Sequence, residues 1–235
     1  MMEQPRLAET NRPQSNDTLG NGDAQDGGVL FGYSPDLFQR IHDTDVELII
    51  WERPLACELG RWLEALPVDQ LPNRRVLVLR ADLRPALTVI FDAAGTPGGA
   101  MRDALLDDLI RLATLFMDTL DSDRVDIRLE TVQHDACWKF HRDNVAARLV
   151  TTYRGPGTQW VRPHDNAMAL AVQKSYQGII QHFPKHAVGL FKGSRAGPAS
   201  GIVHRSPPIS GSGVVRLLLC LNLPSAASPD LWTSS

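Results

Sequence analysis

The sequence contains only three cysteines and no long apolar run. Cys57, Cys137 and Cys220 are odd in number and widely spaced, which argues against a disulfide framework and for a reducing compartment. No segment approaches the ~20 consecutive apolar residues that cross a bilayer, and the opening MMEQPRLAETNRPQ lacks the apolar stretch of a secretion signal. We therefore expect a soluble, cytoplasmic protein.

An excess of positive charge is also missing. The formal net charge is −3, so no general attraction to nucleic acid or to anionic lipid is expected, and we expect neither as a partner. The chain of 235 residues is 43% hydrophobic, which is enough for one domain with a proper core. Composition says nothing about the oligomeric state.

The pattern of polar and apolar residues predicts how the chain is organised. Residues 1–27 are polar and lack hydrophobic periodicity, which predicts a disordered tail, and residues 28–235 form a single globular domain. Within that domain we expect an α/β-type part over 28–120, a β-rich core over 121–223 and a loose C-terminus over 224–235. The prediction is an α+β fold.

Individual elements follow from periodicity. VELIIW (46–51) and RVLVLR (75–80) predict strands, and ACELGRWLEAL (56–66) predicts a short helix. Residues 101–120 predict a longer amphipathic helix, with Asp103, Asp107, Asp108 and Arg111 on its polar face. After residue 121 short strands alternate with turns: IRLETVQ, ARLVTTY, AVGLFKG, GIVHRS and VVRLLLCLN. We expect helix 101–120 to cover one face of a sandwich or barrel built from these strands.

Two histidines and one aspartate in the β-rich half have the residue types of a metal site. In KFHRDN, His141 and Asp143 project to the same side of an extended segment, and His204 follows in GIVHRSPP. Two imidazoles and a carboxylate suit one face of an Fe(II) ion and leave positions open, although the same ligands suit Mn or Zn. We predict His141, Asp143 and His204 as metal ligands.

A further charged residue lies in an apolar strand. In GVVRLLLCLN, Arg216 shares a face with Val214, Leu218 and Cys220, where an unpaired charge would cost several kcal/mol. Its partner is either an internal carboxylate or a bound one. A guanidinium binds a carboxylate through two parallel hydrogen bonds, which suits one end of a dicarboxylate.

These residues carry a resemblance to known families. The span from IRLETVQHDACWKFHRDN to VRLLLCLN, about 126–223, resembles the bacterial domain-of-unknown-function family 1826 (DUF1826). More remotely, its order of His-x-Asp, distal His and later Arg is similar to 2-oxoglutarate/Fe(II) dioxygenases of the prolyl-hydroxylase type. That resemblance implies a C-terminal double-stranded β-helix (a jelly-roll or cupin-like barrel) covered by N-terminal helices, Fe(II) and 2-oxoglutarate as cofactors, and Arg216 as the anchor of the cosubstrate's distal carboxylate. The turn YRGPGTQW and the segment 164–185 depart from that pattern, so the substrate, a small molecule or a protein side chain, stays open.

The segment TTYRGPGTQW admits two interpretations. Its glycines suit a tight hairpin, which is the simpler interpretation. The alternative is that Tyr153 or Thr158 lines the cosubstrate pocket.

Other metal and catalytic sites compete with this assignment. His134, Cys137 and His141 form H-x2-C-x3-H, which could supply zinc ligands and would take His141 from the triad. A second hypothesis is a non-catalytic, zinc-handling protein that uses the same barrel and the same three ligands, with Cys137 as a further one. Pro184 separates His182 from His186 and disfavours a helical zinc pair. A third hypothesis is a metal-assisted hydrolase with Glu130 or Asp135 as the general base.

Overall fold

The computed structural model describes residues 24–234. The strands are β1 Ala24–Asp26, β2 Val29–Gly32, β3 Leu48–Trp51, β4 Arg74–Leu79, β5 Arg124–Val132, β6 Ala147–Arg154, β7 Gln159–Trp160, β8 Gln181–His182, β9 Val188–Lys192, β10 His204–Arg205 and β11 Arg216–Asn222. The α-helices are α1 Cys57–Ala65, α2 Leu83–Ala93, α3 Ala100–Thr119 and α4 Asn166–Val172. Short 3-10 helices cover Pro35–His42, Val68–Gln70, Arg80–Asp82, Pro163–Asp165 and Gln173–Ser175.

Two β-sheets organise the described chain. The larger has eight strands in the order β1-β2-β3-β9-β6-β11-β5-β4, and every neighbouring pair is antiparallel except β2 and β3. The smaller has three strands in the order β10-β7-β8, also antiparallel. The chain therefore has a mixed α/β architecture with one dominant sheet.

Both faces of the large sheet are apolar, because alternate residues of its strands pack into two different cores. One core joins the sheet to α1, α2 and α3, and its strand residues include Ile49, Leu149, Leu190, Leu217, Leu219 and Leu221. The other core joins the sheet to the smaller one, and includes Leu48, Ile50, Val150, Trp160, Phe191, Leu218 and Cys220. Helices thus cover one face and the small sheet covers the other.

Most of the predicted elements are present. β3, β4, α1 and α3 lie within two residues of their predicted bounds, and each predicted C-terminal run contains a strand. GIVHRS is strand only at His204–Arg205. Helix α2 was not predicted, although its buried residues Leu83, Ala86, Leu87, Ile90 and Phe91 have helical spacing.

The strands before and after residue 120 share one sheet. β3 pairs with β9 and β4 pairs with β5, so strands from 28–120 and from 121–223 belong to the same sheet. Most of the predicted tail, residues 1–23, lies outside the described residues, and Ala24–Asp26 forms β1. The segment 224–235, predicted to be loose, is attached to the large sheet: the Trp232 amide donates to Leu77 O at 2.8 Å, and the Ser228 hydroxyl donates to Asp126 Oδ2 at 2.6 Å.

The polar face of α3 differs from the prediction at Asp108. This carboxylate accepts hydrogen bonds from Arg53 and from the Tyr153 hydroxyl, the latter at 2.6 Å, and its side chain is only 11% exposed. Burial alone would raise the pKa of Asp108, but the hydrogen bonds from Arg53 and Tyr153 lower it below its ordinary value. Asp108 therefore forms a buried ion pair and does not face solvent.

The described helices include none that could span a membrane.

Candidate metal centre

The two predicted histidine ligands face each other across a short backbone pairing. The amide of His141 donates to His204 O, and the amide of His204 donates to His141 O, each at 3.0 Å. Directly opposed residues of an antiparallel pair project to the same side. The two imidazole rings consequently lie together, with centroids 4.6 Å apart.

Asp143 reaches the same side because it follows His141 by two positions. Its carbonyl oxygen accepts hydrogen bonds from the Ser194 amide at 2.9 Å and the Ser194 hydroxyl at 3.2 Å. Gly193 makes this contact possible: a Cβ there would lie 2.7 Å from Asp143 O and 2.3 Å from Val145 O. The loop after His141 is therefore fixed by close backbone packing against the end of β9.

The three side chains converge on one point. The Asp143 carboxylate lies 3.4 Å from His141 Nε2 and 3.3 Å from His204 Nε2, and one ligand atom from each residue lies within 4.8 Å of the others. Within residues 24–234 this is the one group of three or more His, Cys, Asp or Glu residues with such spacing. The arrangement brings together the ligands that the sequence predicts.

The outer nitrogens of both rings are occupied by backbone. His141 Nδ1 lies 2.8 Å from Lys139 O, and His204 Nδ1 lies 3.1 Å from Ile202 O. A carbonyl accepts only from a protonated nitrogen, so in the neutral rings Nε2 carries the lone pair. Two nitrogen lone pairs then face a carboxylate, and this arrangement is stable only with a proton or a cation between them.

The charge of Asp143 is strongly stabilised. Burial by itself would raise the pKa of this carboxyl group, but hydrogen bonds from His141 and His204, together with the Arg148 charge, hold it far below its usual range. The hydrogen bond to Asp143 raises the pKa of His141. The Asp143 carboxyl group is therefore ionised at neutral pH and available as a metal ligand.

Two further residues orient Asp143, and the sequence did not single them out. Arg148 Nη1 donates to Asp143 Oδ2 at 2.6 Å, and Arg148 Nε donates to Asn222 Oδ1 at 2.7 Å. Arg148 and Asn222 are direct neighbours on β6 and β11. A signal was available, since Arg148 is a charged residue directly before the apolar pair Leu149 and Val150 of β6.

A cavity of about 160 Å³ opens beside the histidines. Its apolar wall is formed by Val150, Leu218 and Cys220, on the face of the large sheet that looks toward the small sheet. Thr158, one of the two predicted pocket residues of the turn, lines it as well. Its polar lining includes four arginines: Arg75, Arg128, Arg148 and Arg205.

Arg216 is buried on the same face of β11 as Leu218 and Cys220. The residue is 1% exposed, its Nε donates to Pro156 O at 2.9 Å, and its Nη2 has no hydrogen-bond partner within the described part of the chain. Burial lowers the pKa of its guanidinium, an effect partly offset by Cys220, Glu130 and Cys137, all of which line the cavity. Gly155 is required beside it, because a Cβ there would lie 2.6 Å from Val215 O.

A sequence model of the family described as "Protein of unknown function (DUF1826)" matches residues 32–222. This match covers most of the chain. The chain belongs to the DUF1826 family. The family resemblance that the sequence predicts is thereby confirmed, and the match extends well upstream of residue 126.

Solved structures resemble this DUF1826 chain at low identity. A rice dioxygenase for auxin oxidation is 12% identical, with a TM-score of 0.49, over 83% of this chain and 82% of that chain. A dioxygenase for auxin oxidation from Arabidopsis thaliana, in a binary complex with 2-oxoglutarate, is 11% identical, with a TM-score of 0.47, over 86% and 95%. A Pseudomonas putida prolyl-4-hydroxylase is 15% identical, with a TM-score of 0.33, over 74% and 95%. No curated protein matches the chain.

The prediction that Tyr153 lines the pocket is wrong. Tyr153 lies on the opposite face of β6, in the core beneath the helices, where its hydroxyl donates to Asp108. The reason is strand alternation: Arg148 and Val150 face the cavity, so Tyr153, at odd spacing from both, faces the helices.

The alternative zinc set is not assembled in the DUF1826 chain as described. Cys137 lines the cavity, but neither His134 nor Cys137 joins the group formed by His141, Asp143 and His204. The other cysteine at the cavity, Cys220, is buried, and burial raises its thiol pKa to about 11. This thiol is therefore protonated at neutral pH and is a poor metal ligand.

The remaining candidates have other positions. His186 lines a separate cavity beside α1, together with Cys57 and Lys185, while His182 lies on β8. Asp135, a candidate general base, accepts hydrogen bonds from the amides of Ile209 and Ser210, both at 2.7 Å. Glu130 lines the metal-site cavity but pairs with Arg128.

Proposed function

We propose that this protein is an oxygenase that depends on Fe(II) and 2-oxoglutarate, built on a double-stranded β-helix. His141, Asp143 and His204 would hold the metal, and Arg216 would hold the distal carboxylate of 2-oxoglutarate. When bound, the iron and the cosubstrate supply the oxidising chemistry, and the protein supplies binding, orientation and exclusion of water.

The donor set fits the metal. Two imidazole nitrogens and one carboxylate form the ligand set of non-haem iron oxygenases, which leaves positions open for other ligands. The backbone carbonyls on both Nδ1 atoms direct the two Nε2 lone pairs toward Asp143. Arg148 and Asn222 would keep the carboxylate oriented, which is the role that outer hydrogen bonds have in metal sites.

The observation that carries the proposal is the incomplete hydrogen bonding of Arg216. A guanidinium that is 1% exposed, with one nitrogen lacking a partner and with no carboxylate of the described residues paired to it, carries a large desolvation cost. A bound dicarboxylate would remove that cost, because its carboxylate could accept from the fork. Neither a metal-handling protein nor a hydrolase needs such a residue.

The apolar wall of the cavity has a defined task in this mechanism. Val150, Leu218 and Cys220 face the space between the histidines and the large sheet, and these side chains exclude water from one side of it. Exclusion of water strengthens the ionic contacts of Asp143 and would strengthen the contact of Arg216 with a bound carboxylate.

Replacement of Arg216 tests the proposal. Arg216→Met nearly keeps the volume but removes the fork, and we expect it to weaken 2-oxoglutarate binding by about 2–4 kcal/mol, roughly 30- to 1,000-fold in Kd. Metal affinity should be unchanged, because Arg216 is not a ligand. Calorimetry on the metal-loaded chain measures both quantities.

The matched control is Arg84→Met, which removes an exposed arginine paired with Asp107 far from the cavity. It should leave 2-oxoglutarate binding unchanged. If Arg216→Met binds 2-oxoglutarate as tightly as the wild type does, Arg216 is not the anchor, and the non-catalytic metal-binding function becomes the better proposal.

A further inference from the structure

The cavity of the proposed metal centre is unusually rich in arginine. Arg75, Arg128, Arg148 and Arg205 line it, and Glu130 is the only Asp or Glu among its lining residues in the described chain. The side chains of Arg75 and Arg128 are 38% and 48% exposed, so these two residues stand at the mouth. An entrance of this kind attracts anions.

Three of the four arginines already have carboxylate partners. Arg75 makes a two-point contact with Asp126, at 2.9 and 2.6 Å, Arg128 pairs with Glu130, and Arg148 pairs with Asp143. Their charges are largely balanced by the protein itself. They do not, on their own, require a ligand.

Arg205 is different. Among the described residues no carboxylate forms an ion pair with it. Its Nε donates to Gln159 Oε1 at 2.7 Å, and the guanidinium lies over the Phe140 ring, 4.4 Å from the centroid. Stacking on Phe140 and one hydrogen bond fix the orientation of the Arg205 guanidinium. Little side-chain entropy therefore remains to be lost when an anion binds.

The cosubstrate does not account for this residue. 2-Oxoglutarate has two carboxylates, and in the proposed function one binds the metal and the other binds Arg216. Arg205 immediately follows the ligand His204 on β10 and lines the same cavity, where its guanidinium has no carboxylate partner among the described residues.

We propose that Arg205 binds an anionic group of the substrate, and that the substrate is a small organic anion carrying a carboxylate or a phosphate. This inference rests on the proposed function for its reaction. The volume of about 160 Å³ supports a small substrate, since pockets for drug-sized ligands are roughly 300–1,000 Å³. Arg75 and Arg128 are paired with carboxylates of the protein, so the specific contact with the anion is assigned to Arg205.

Simple probes test the charge preference directly. Propionate, methyl phosphate and neutral propionamide are titrated into the full chain loaded with redox-inert Zn(II) and saturated with 2-oxoglutarate, so that neither anion competes for the cosubstrate site. We expect at least one anionic probe to bind about tenfold or more tightly than propionamide. The comparison of propionate with methyl phosphate decides which anion is preferred.

Substitutions test whether Arg205 is the residue that makes the chain prefer anionic probes to propionamide. Arg205→Met should abolish this preference, Arg205→Lys should retain part of it because the charge remains without the fork, and Arg84→Met should leave it intact. Equal binding of all three probes to the wild type would overturn the proposal, and so would an undiminished preference in a folded Arg205→Met or Arg205→Lys protein.

Failure of the proposed function would be recognised separately. If the wild type does not bind 2-oxoglutarate, the same titrations are made on Zn(II)-loaded chain alone. An Arg205-dependent anion preference would then uphold this site while the oxygenase assignment falls. Normal 2-oxoglutarate binding with no preference for anionic probes would uphold the oxygenase assignment and overturn the anion site at Arg205.

Discussion

The hydrogen bonds of His141 and His204 are divided between backbone and site. In each ring Nδ1 contacts a carbonyl two residues earlier in the chain, and Nε2 points at Asp143. A structural histidine would normally satisfy both nitrogens with fixed partners of opposite kind. Here the inner nitrogens converge on a carboxylate, which is the geometry of a site that binds a cation.

Removal of one imidazole should abolish tight metal binding. His141→Ala is expected to lower the affinity for a divalent metal by at least about a hundredfold, because loss of even an outer hydrogen-bond partner typically costs 10- to 100-fold. Metal content after reconstitution and dialysis measures the loss, and thermal unfolding of metal-free protein should remain cooperative.

His134→Ala is the matched control, since His134 is exposed and lies outside the convergent group. It should bind metal like the wild type. If His134→Ala lost metal and His141→Ala kept it, the triad would not be the metal site and the zinc alternative would need to be reconsidered.

At this scale the sequence predicts ligands better than it predicts pocket walls. His141, Asp143 and His204 can be named because metal chemistry restricts the residue types and because strand geometry relates positions i and i+2. Tyr153 was misplaced because both faces of β6 are apolar, so alternation alone cannot tell which face meets the cavity. Arg205 could not be assigned to the site because its partners Gln159 and Phe140 come from distant parts of the chain, and the role of Arg148 depends on the distant Asn222 as well as on Asp143.

Among the elements, the loop between His141 and β6 packs closely against the backbone at Gly193. Gly193→Ala would place a Cβ 2.7 Å from Asp143 O and 2.3 Å from Val145 O, and both are backbone atoms that cannot rotate away. We expect the loop that carries Asp143 to shift and metal affinity to fall about tenfold or more, in line with loss of ligand orientation. Metal titration measures the change.

Gly98→Ala is the control, because nothing lies within 4 Å of the added methyl group and its φ is not in the left-handed region. This variant should bind metal normally. Normal metal affinity in Gly193→Ala would mean that the loop can relax and that the contact does not fix Asp143.

The attachment of α3 to the large sheet depends on the buried pair of Asp108 and Arg53. Asp108→Asn leaves the Arg53 charge without its counterion, and removal of one partner of a buried pair costs about 3–5 kcal/mol. Asp107→Asn is the control next in sequence, since Asp107 is 62% exposed and a surface pair contributes about 1 kcal/mol or less. Denaturant unfolding at pH 7 compares the two variants.

The same pair predicts a pH dependence. The folded-state pKa of Asp108 is depressed, so its contribution to the free energy of unfolding is present above the ordinary value of 3.8 and is lost as the pH falls toward the folded-state pKa. The stability difference between wild type and Asp108→Asn should therefore shrink below about pH 4. A difference that stayed constant from pH 7 to pH 3 would contradict an ionic origin.

Element prediction succeeds where the signal is local and fails where it is not. α3 can be predicted from its spacing, and α2 could have been, since its buried residues repeat with the same period. The pairing of β3 with β9 and of β4 with β5 joins residues about 140 and 50 positions apart, and no periodicity within either strand specifies that partner.

In the whole molecule, the site lies where two layers meet. The large sheet contributes Val150, Leu218 and Cys220 to the cavity, while His204 and Arg205 belong to the small sheet. The order of the motifs along the chain predicts that His141, Asp143, His204 and Arg216 belong to one site. Their separation on two sheets, and the arginine-rich cavity between them, follow only from the assembled fold.

The most direct test of the account is calorimetric titration of 2-oxoglutarate into the Fe(II)-loaded and the metal-free protein without oxygen. We predict one 2-oxoglutarate bound per chain, with an affinity that falls sharply when the metal is absent and again in Arg216→Met, because metal and arginine hold opposite ends of the same molecule. Absence of binding to the Fe(II)-loaded wild type, or equal binding without metal, would contradict the proposed oxygenase function.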